Sequence, residues 1–375
     1  MEPGDYVERL GPSVADPHEL FEHFERRSLA GRTCYVLAAT RHGVERGTVI
    51  MPEDDAIIRG FPSIPRVLVL DPGIATYFRD SSTVSVEEKL DGYNARIVHI
   101  AEPLAFTRSG LVCPYTTELV RERLSLSSFF ASFPDAMLCA EVIGPESPYT
   151  PTAYDDIDTI DVRVFDIRHR ETGEPLPVEA RRSRAAECGF PQPRWFGTPR
   201  LDAAPAVIRS AIETLDAANR EGVVVRSANG QSMLKYTTAA QHHEELAYAF
   251  SYPFDYGQDF LFSRVTRDAF QAVEFDADDD ALRERAHALG ESILLPMVDT
   301  IEAVDADEPI GQRHTVRGDS ATVSALLDHL EAQSLTLEIQ TDDEQDAERL
   351  VEFIKVARAT RDRIQHYLAG GTPDD

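Results

Sequence analysis

Residues 84–100 read VSVEEKLDGYNARIVHI. Val84 and Val86 alternate with polar residues before Lys89-Leu90-Asp91-Gly92, and an apolar-rich run through Ile97 and Ile100 follows. Such alternation reads as strand, so the lysine stands at a strand-to-turn junction, where Gly92 permits a tight backbone. A KxDG tetrapeptide alone matches many surface turns. Its weight comes from a chain that has discarded lysine almost everywhere else.

The 375 residues carry 65 Asp plus Glu against 37 Lys plus Arg, a formal net charge of −28. Lysine occurs only at Lys89, Lys235 and Lys355. An acidic surface stripped of lysine suits solubility at molar salt, where the Debye length falls to about 3 Å and self-repulsion is screened. The composition reads as that of a halophile's cytoplasmic protein. In such a chain lysine is expected where chemistry or packing needs an ammonium, because arginine stays protonated and cannot serve as a nucleophile. The length suits two or three domains, and 42% hydrophobic residues supply a sizeable core. No window approaches the roughly 20 uncharged apolar residues of a membrane span. The stretch MEPGDYVERLGPS has neither the basic nor the apolar region of a signal peptide. Cys34, Cys113, Cys139 and Cys188 lack CxxC or Cys/His spacing, which argues for free thiols and against structural zinc or a disulfide framework. The acidic balance also argues against indiscriminate nucleic-acid binding, which needs a basic footprint.

The pattern predicts an α+β protein. Over residues 15–85 a helix-like HELFEHFERRSL stands against short apolar runs, TCYVLAA, GTVIM and PRVLVLD. Residues 84–240 are strand-rich, with ARIVHI, AMLCAEVIG, DVRVFDIR, GVVVRS and SMLKYT, plus a helix over APAVIRSAIETLDAANR. Helix signals then dominate, and the end reads helix (ATVSALLDHLEAQ), strand (LTLEIQ), helix (DAERLVEFIKVARATRDRIQHYLAG). This divides the chain into an N-terminal α+β module (1–80), a β-rich domain (81–240), a helical segment (241–310) and a C-terminal α+β module (311–375). Asn229-Gly230 predicts a two-residue hairpin that sets position 228 opposite 231 and Val224 opposite Lys235. Strict alternation then puts Glu221 on the face opposite Val224, unless Gly222 kinks the strand. His242-His243 reads as a solvated pair, and Asp278–Asp280 as a helix start favoured by the helix dipole. The arginines of RRSRAAECGFPQPRWFG, with Trp195, read as a connector or as an RNA contact.

EEKLDGYNARI (87–97), AEVIGPESPY (140–149), VFDI (164–167), EGVVVR (221–226) and LKY (234–236) follow one another in that order. This ordered set resembles the covalent nucleotidyltransferase superfamily of ATP-dependent ligases and capping enzymes. Within it, the chain is most similar to the archaeal homodimeric ATP-dependent RNA ligase family, which circularises RNA. YGQDFLFSRVTRDAFQAVEF and GESILLPMVDTIEAV look like that family's downstream helices. The resemblance implies a central ligase-type nucleotidyltransferase domain of antiparallel sheets flanked by helices over 81–240, with dimerisation through 241–310.

It further implies ATP and Mg²⁺ (or Mn²⁺) as cofactors, and RNA with 5′-phosphate and 3′-hydroxyl ends as substrate. Lys89 would attack the α-phosphate of ATP, and the AMP would pass to an RNA 5′-phosphate before a 3′-hydroxyl displaces it. A free lysine of pKa about 10.4 is mostly protonated at neutral pH, so burial, a second cation or a metal is expected to depress Lys89. By resemblance Lys235 neutralises phosphate, and Glu141 binds the ribose or assists the metal, a structural ion pair being its bland reading; Glu221, blandly a helix end before Gly222, fits the metal as a hard oxygen donor, and Asp91 either joins it or only orients the lysine. Phe165, otherwise a core residue, becomes the platform under adenine. Glu87 or Glu88 reads the adenine amino group, and Asn94 and Arg96 contact ribose or phosphate. There are departures. Asn94 stands where DNA ligases and capping enzymes usually carry arginine, and Met233 where many members carry the first lysine of a KxK pair. The expectation is an ATP-dependent RNA ligase. Its rivals are a DNA ligase, a capping-type guanylyltransferase and a catalytically inactive RNA-binding scaffold.

Overall fold

The computed structural model describes residues 5–13, 16–29, 32–345 and 347–372. At the N-terminal end, α1 (Tyr6–Arg9) and α2 (Pro17–Phe21) pack on a four-stranded antiparallel sheet of β1 (Phe24–Leu29), β2 (Arg32–Leu37), β3 (Val49–Met51) and β4 (Ala56–Ile58). The helix expected across HELFEHFERRSL therefore stops at Phe21, and Phe24 pairs with Leu37. Leu20, Phe21 and Phe24 have helical spacing, but Glu25, Arg26 and Arg27 lie exposed along an edge strand. PRVLVLD is likewise not a strand. Its Leu70 opens α3 (Leu70–Tyr77) and is buried with Ile74 and Phe78.

The central part is two four-stranded antiparallel sheets. One has the order β10 (Trp195–Gly197), β5 (Val84–Lys89), β11 (Gly222–Ser227), β12 (Met233–Thr237). The other runs β7 (Glu102–Thr107), β6 (Tyr93–Ile100), β8 (Ala136–Ile143), β9 (Asp161–His169). Because side chains alternate along a strand, each sheet can bury one face and present the other to a site. Val84, Val86, Val223, Val225, Leu234 and Tyr236 pack against α3 and α7 (Ala204–Asp216). Ala95, Ile97, Leu138, Ala140, Val162 and Val164 join a core with α4 (Pro114–Arg123), α5 (Leu126–Ser132) and α6 (Val178–Glu187). The remaining faces carry Glu87, Lys235, Asn94 and Glu141, but also Val98, Ile100, Met137 and Cys139, which pack against the N-terminal unit.

Three helices follow: α8 (Ala239–Ser251), α9 (Gln258–Glu274) and α10 (Asp279–Asp305). Asp278 caps α10 by accepting from the amides of Asp280 and Ala281, as a charged helix start should. His242 is not solvated. It lies inside α8, buried, with Nε2 2.8 Å from Thr237 Oγ1. Among the described residues no helix is long and apolar enough to cross a membrane.

The last unit is β13 (Gly311–Gly318), α11 (Ser320–Glu331), β14 (Leu337–Gln345), β15 (Glu348–Val356) and α12 (Arg358–Leu368), with sheet order β13-β15-β14. The helix expected from Asp346, itself outside the described residues, begins only at Arg358. Glu348–Val356 is the central strand, and Phe353 and Ile354 are both buried, so it is covered on both faces and lacks strict alternation. This unit is fastened to the loop after β8. His314 Nδ1 lies 3.2 Å from the Ser147 carbonyl oxygen, and Lys355 Nζ donates to that of Pro148 at 2.6 Å.

Candidate active site

A cavity of about 500 Å³ lies between the two central sheets. Cross-strand partners share a face, so the strand register writes out one wall in rows. Lys89, Gly222 and Thr237 form one row, Glu87, Val224 and Lys235 the next, and Ser85, Arg226 and Met233 a third. The expected register of Val224 with Lys235 is present, but the turn is longer than two residues. Ser227 N donates to Ser232 O, and residues 228–231 form a four-residue connection with Gly230 at φ +76°. Glu221 is brought to the cleft by Gly222, whose φ is +147° and where a Cβ would lie 2.3 Å from the Tyr236 carbonyl oxygen. Lys89 Nζ consequently donates to Glu221 Oε2 at 2.6 Å.

The facing wall comes from β6, β8 and β9. Asn94 and Glu141 are direct cross-strand partners, and both line the cavity. Asn94 Oδ1 is buried with no hydrogen-bond partner. Between the pairs Cys139–Asp166 and Ala140–Val164 the register shifts, leaving Phe165 as the extra residue of a β-bulge. A bulge re-aims a side chain, and here Phe165 lines the cavity, its ring edge-on to Phe61 at 5.3 Å.

Charge is unevenly matched around Lys89. Burial pushes the Glu141 carboxyl up to about 8 and the Glu221 carboxyl up to about 7, with Lys89 opposing the rise in both. Burial pulls the Lys89 ammonium down, but the attraction of Glu221 and Glu141 outweighs it, so Lys89 stands above its ordinary value. The expected depression of this lysine is thus absent here, because the attraction of Glu221, Glu141 and Asp91 outweighs its burial. Lys235 does fall, to about 8, through burial and the repulsion of Lys89 and Arg66. Asp91 accepts from Thr152 Oγ1 at 2.9 Å, and neither it nor Glu221 is among the residues lining the cavity, Glu221 reaching it only through Lys89. Among the described residues no three His, Cys, Asp or Glu side chains form a ready-made metal cage. Glu141 and Glu221 are nonetheless hard oxygen donors short of positive charge. They suit Mg²⁺, which usually takes one or two carboxylates and completes its shell with water and phosphate oxygens.

Glu87 and Glu88 both line the cavity. Glu87 Oε1 accepts from Arg181 and Arg182, while its Oε2 has no hydrogen-bond partner and lies 3.4 Å from Arg226 Nε. Arg181 is therefore a buried structural partner, as the connector reading of that segment has it. Glu88 is paired with Arg220 at 2.7 Å. Arg96 is not a ligand contact. It shares a face with Asn94, but the N-terminal unit covers that end of β6. The fully buried guanidinium donates to the carbonyl oxygens of Arg59 (2.6 Å), Gly47 (2.8 Å) and Thr107 (2.9 Å), and burial lowers it to about 10. Met233 is buried too, and its Sδ accepts from Arg226 Nη1 at 3.0 Å beside the Arg226–Asp166 pair. An apolar thioether fits that enclosed spot better than an ammonium would.

Several lining residues escaped the sequence reading. Arg46 and Arg108 adjoin Gly47 and Thr107, so the Arg96 staple sets both at the cavity. Tyr149 and Gln333 come from the loop after β8 and from the C-terminal unit. The scarcity of lysine was the available signal for Tyr149, since Lys355 Nζ sits 5.2 Å from its ring centre. Gln333 carried none.

Residues 82–237 match the family model described as RNA ligase, and residues 248–371 the one described as Ligase Pab1020 C-terminal region. An uncharacterized protein of Methanocaldococcus jannaschii is 37% identical over 378 residues, spanning 97% of this chain and 95% of that protein. A solved structure titled archaeal ATP-dependent RNA ligase is 38% identical across the whole of both chains, with a TM-score of 0.91, and a second form of it gives 0.92. The chain belongs to the archaeal ATP-dependent RNA ligase family. A structure from Aquifex aeolicus, provisionally titled an ATP-dependent DNA ligase, shares this ligase's fold at 22% identity and TM-score 0.87, over 94% of this chain and 97% of that one. The motifs carried by this RNA ligase family member, from KLDG to LKY, supply the cavity's central wall residues Lys89, Glu141, Phe165, Val224 and Lys235.

Proposed function

We propose that the protein is an ATP-dependent RNA ligase acting through a lysyl-AMP intermediate at Lys89, and that it joins or circularises RNA with 5′-phosphate and 3′-hydroxyl ends. The contact that carries this reading is Lys89 Nζ on Glu221 Oε2, at the edge of a cavity that Lys89 lines together with an aromatic ring and a second ammonium. Phe165 and Val224 offer apolar surfaces for the adenine ring, and Asn94 and Glu141 offer polar atoms to the ribose. Lys89 passes a proton to Glu221 Oε2 and its nitrogen attacks the α-phosphorus. The N–P bond forms, the bond to the bridging oxygen breaks, and the electron pair leaves on pyrophosphate. Lys235 offsets charge on the α-phosphate oxygens. An RNA 5′-phosphate oxygen next displaces the lysine nitrogen, and finally the 3′-hydroxyl attacks the RNA 5′-phosphorus as AMP departs. Each step is an in-line displacement that depends on positioning and charge neutralisation. Glu221 and Asp91, with Glu141 facing the same ammonium, would hold Mg²⁺ or Mn²⁺, which when bound neutralises phosphate charge.

The acidic, lysine-poor composition supports a halophilic cytoplasmic setting, where counterion release contributes little and RNA binding rests on stacking and arginine geometry. Phe262, Val273, Leu294 and Leu295 on α9 and α10 are each more than half exposed, a face suited to a second copy of the chain. The test is incubation with ATP and Mg²⁺ followed by peptide mass spectrometry, with a 5′-phosphorylated RNA assayed in parallel for exonuclease-resistant product. One AMP is expected on the peptide holding Lys89. An adduct that persists in Lys89→Ala overturns the assignment.

A further inference from the structure

Residues 181–197 supply more than the buried partner Arg181. Between positions 180 and 200 the chain holds five arginines and a single carboxylate, Glu187, against a formal net charge of −28 overall. Its one tryptophan, Trp195, lies in this stretch on the short edge strand β10 and is 49% exposed. The pairing of β10 is irregular. Trp195 stands opposite Glu87 and Gly197 opposite Val86, which leaves Phe196 as an extra residue. Phe196 packs into the core with α3 and α7, and Trp195 takes the other face, that of Glu87.

The cleft row of Lys235, Val224 and Glu87 therefore continues across β10 to Trp195. Arg182 spans the last step. Its Nη1 donates to Glu87 Oε1 at 2.8 Å, and its guanidinium carbon lies 5.2 Å from the centre of the indole ring. Gln192 Nε2 donates to the Arg182 carbonyl oxygen at 3.2 Å, and Val164 N to that of Pro191 at 2.7 Å, so α6 and β9 fix the approach to β10. Pro193, two residues before the tryptophan, lines the cavity, whereas Trp195 itself does not. The indole is thus a held, half-open surface beside the cavity. Strand spacing and rise put its backbone roughly 8 Å from that of Lys89.

An indole offers a stiff, flat face to an unpaired base, and such stacking involves no phosphate and so releases no counterion. In a chain this acidic, that is the form of RNA binding least opposed by net charge. The adenine of ATP has its own surfaces at Phe165 and Val224, inside the cavity. The local arginines suit the phosphates that flank a base, which an apolar protein partner would not need. We propose that Trp195, backed by Arg182, is a stacking platform for an unpaired base of the RNA substrate, in a nucleotide at or next to the end being joined. This rests on the RNA-joining reading of the adjacent cavity.

Because Trp195 is the chain's only tryptophan, indole fluorescence reports this side chain alone in the wild-type protein. A short single-stranded RNA with a 5′-phosphate should quench the emission saturably, and inorganic polyphosphate of equal charge should not. Full-length Trp195→Ala should raise the RNA concentration needed for half-maximal sealing about 5-fold or more, while adenylylation by ATP changes by less than about 3-fold. Trp195→Phe should recover most of the loss. Emission that RNA leaves unchanged overturns the proposal, and so does a Trp195→Ala protein that seals at wild-type RNA concentrations. Emission that follows protein concentration and ignores RNA overturns it in favour of an interface between copies of the chain. Should Trp195→Ala fail to fold, the wild-type titration decides alone. Wild-type protein that takes up no AMP refutes the lysyl-AMP reading instead, while quenching by RNA still reports on the platform.

Discussion

Lys89 Nζ and Glu221 Oε2 meet at 2.6 Å although Glu221 lies one residue before its strand begins, because Gly222 adopts a φ of +147° there. The contact places a carboxylate pushed up to about 7 on the amine proposed as nucleophile. Glu221→Gln retains the size of the side chain and removes its charge. Single-turnover adenylylation should fall by about 10²–10³, with circular dichroism unchanged. A near wild-type rate would show that the pair serves packing.

Phe165 owes its exposure to the cavity to the bulge in β9. Loss of one base-stacking ring typically costs about 1–3 kcal/mol. Phe165→Ala should therefore raise the KM for ATP about 10-fold or more, and Phe165→Trp should largely retain affinity. Equal loss in both variants would point to a core role for the ring.

Arg96 is expected to govern stability rather than nucleotide affinity. Arg96→Met leaves the Arg59 and Gly47 carbonyl oxygens without the guanidinium, at about 1 kcal/mol or more each, while Thr107 O keeps the Gly110 amide. Unfolding free energy should drop by about 2 kcal/mol in all, read from the denaturation midpoint. A stable Arg96→Met protein with a raised KM for ATP would restore the ligand-contact reading.

His314 is held down to about 3, first by burial and then by the nearby Lys355 ammonium. An unfolded histidine titrates near 6.5. Above that pH both states are neutral and the contribution is complete. Between about 6.5 and 3 the unfolded chain gains a proton that the folded one refuses, so stability falls by up to about 1.4 kcal/mol per pH unit. Melting temperatures from pH 7.5 to 5 should decline more steeply in wild type than in His314→Gln.

Sedimentation in high salt should give about twice 41.7 kDa, and Leu294→Glu with Leu295→Glu should give one chain mass. A wild-type monomer across micromolar concentrations would remove the role proposed for the exposed face of α9 and α10.

What could be read beforehand follows strand periodicity. Val224 opposite Lys235 came from local chemistry and appears in the register, while Gly222 keeps regular pairing and departs from an ordinary strand only in its φ of +147°. Arg96 could not be read in this way. It lies on the same face as Asn94, and only the docking of the N-terminal unit separates a buried staple from a cavity residue. Arg46 and Gln333 reach the cavity from units distant in sequence, where no spacing rule applies. The strands Phe24–Leu29 and Glu348–Val356 were masked by apolar residues at helical spacing, and sheet partners decided between the two forms. Met233 looked like a missing cation until its neighbours were known, since Arg226 already brings a buried positive charge beside it.

Lys89 and Lys235 line the cavity, and Lys355 grips the loop that presents Tyr149 to it. The rest of the molecular surface therefore offers no lysine amine. A reagent that acylates primary amines, apart from reaching the chain's first residue, would strike the cleft or the clamp behind it and nothing else. For this protein ordinary amine labelling becomes a footprint of the proposed active site, and amine-coupled immobilisation should tether the chain through that cleft or the clamp behind it.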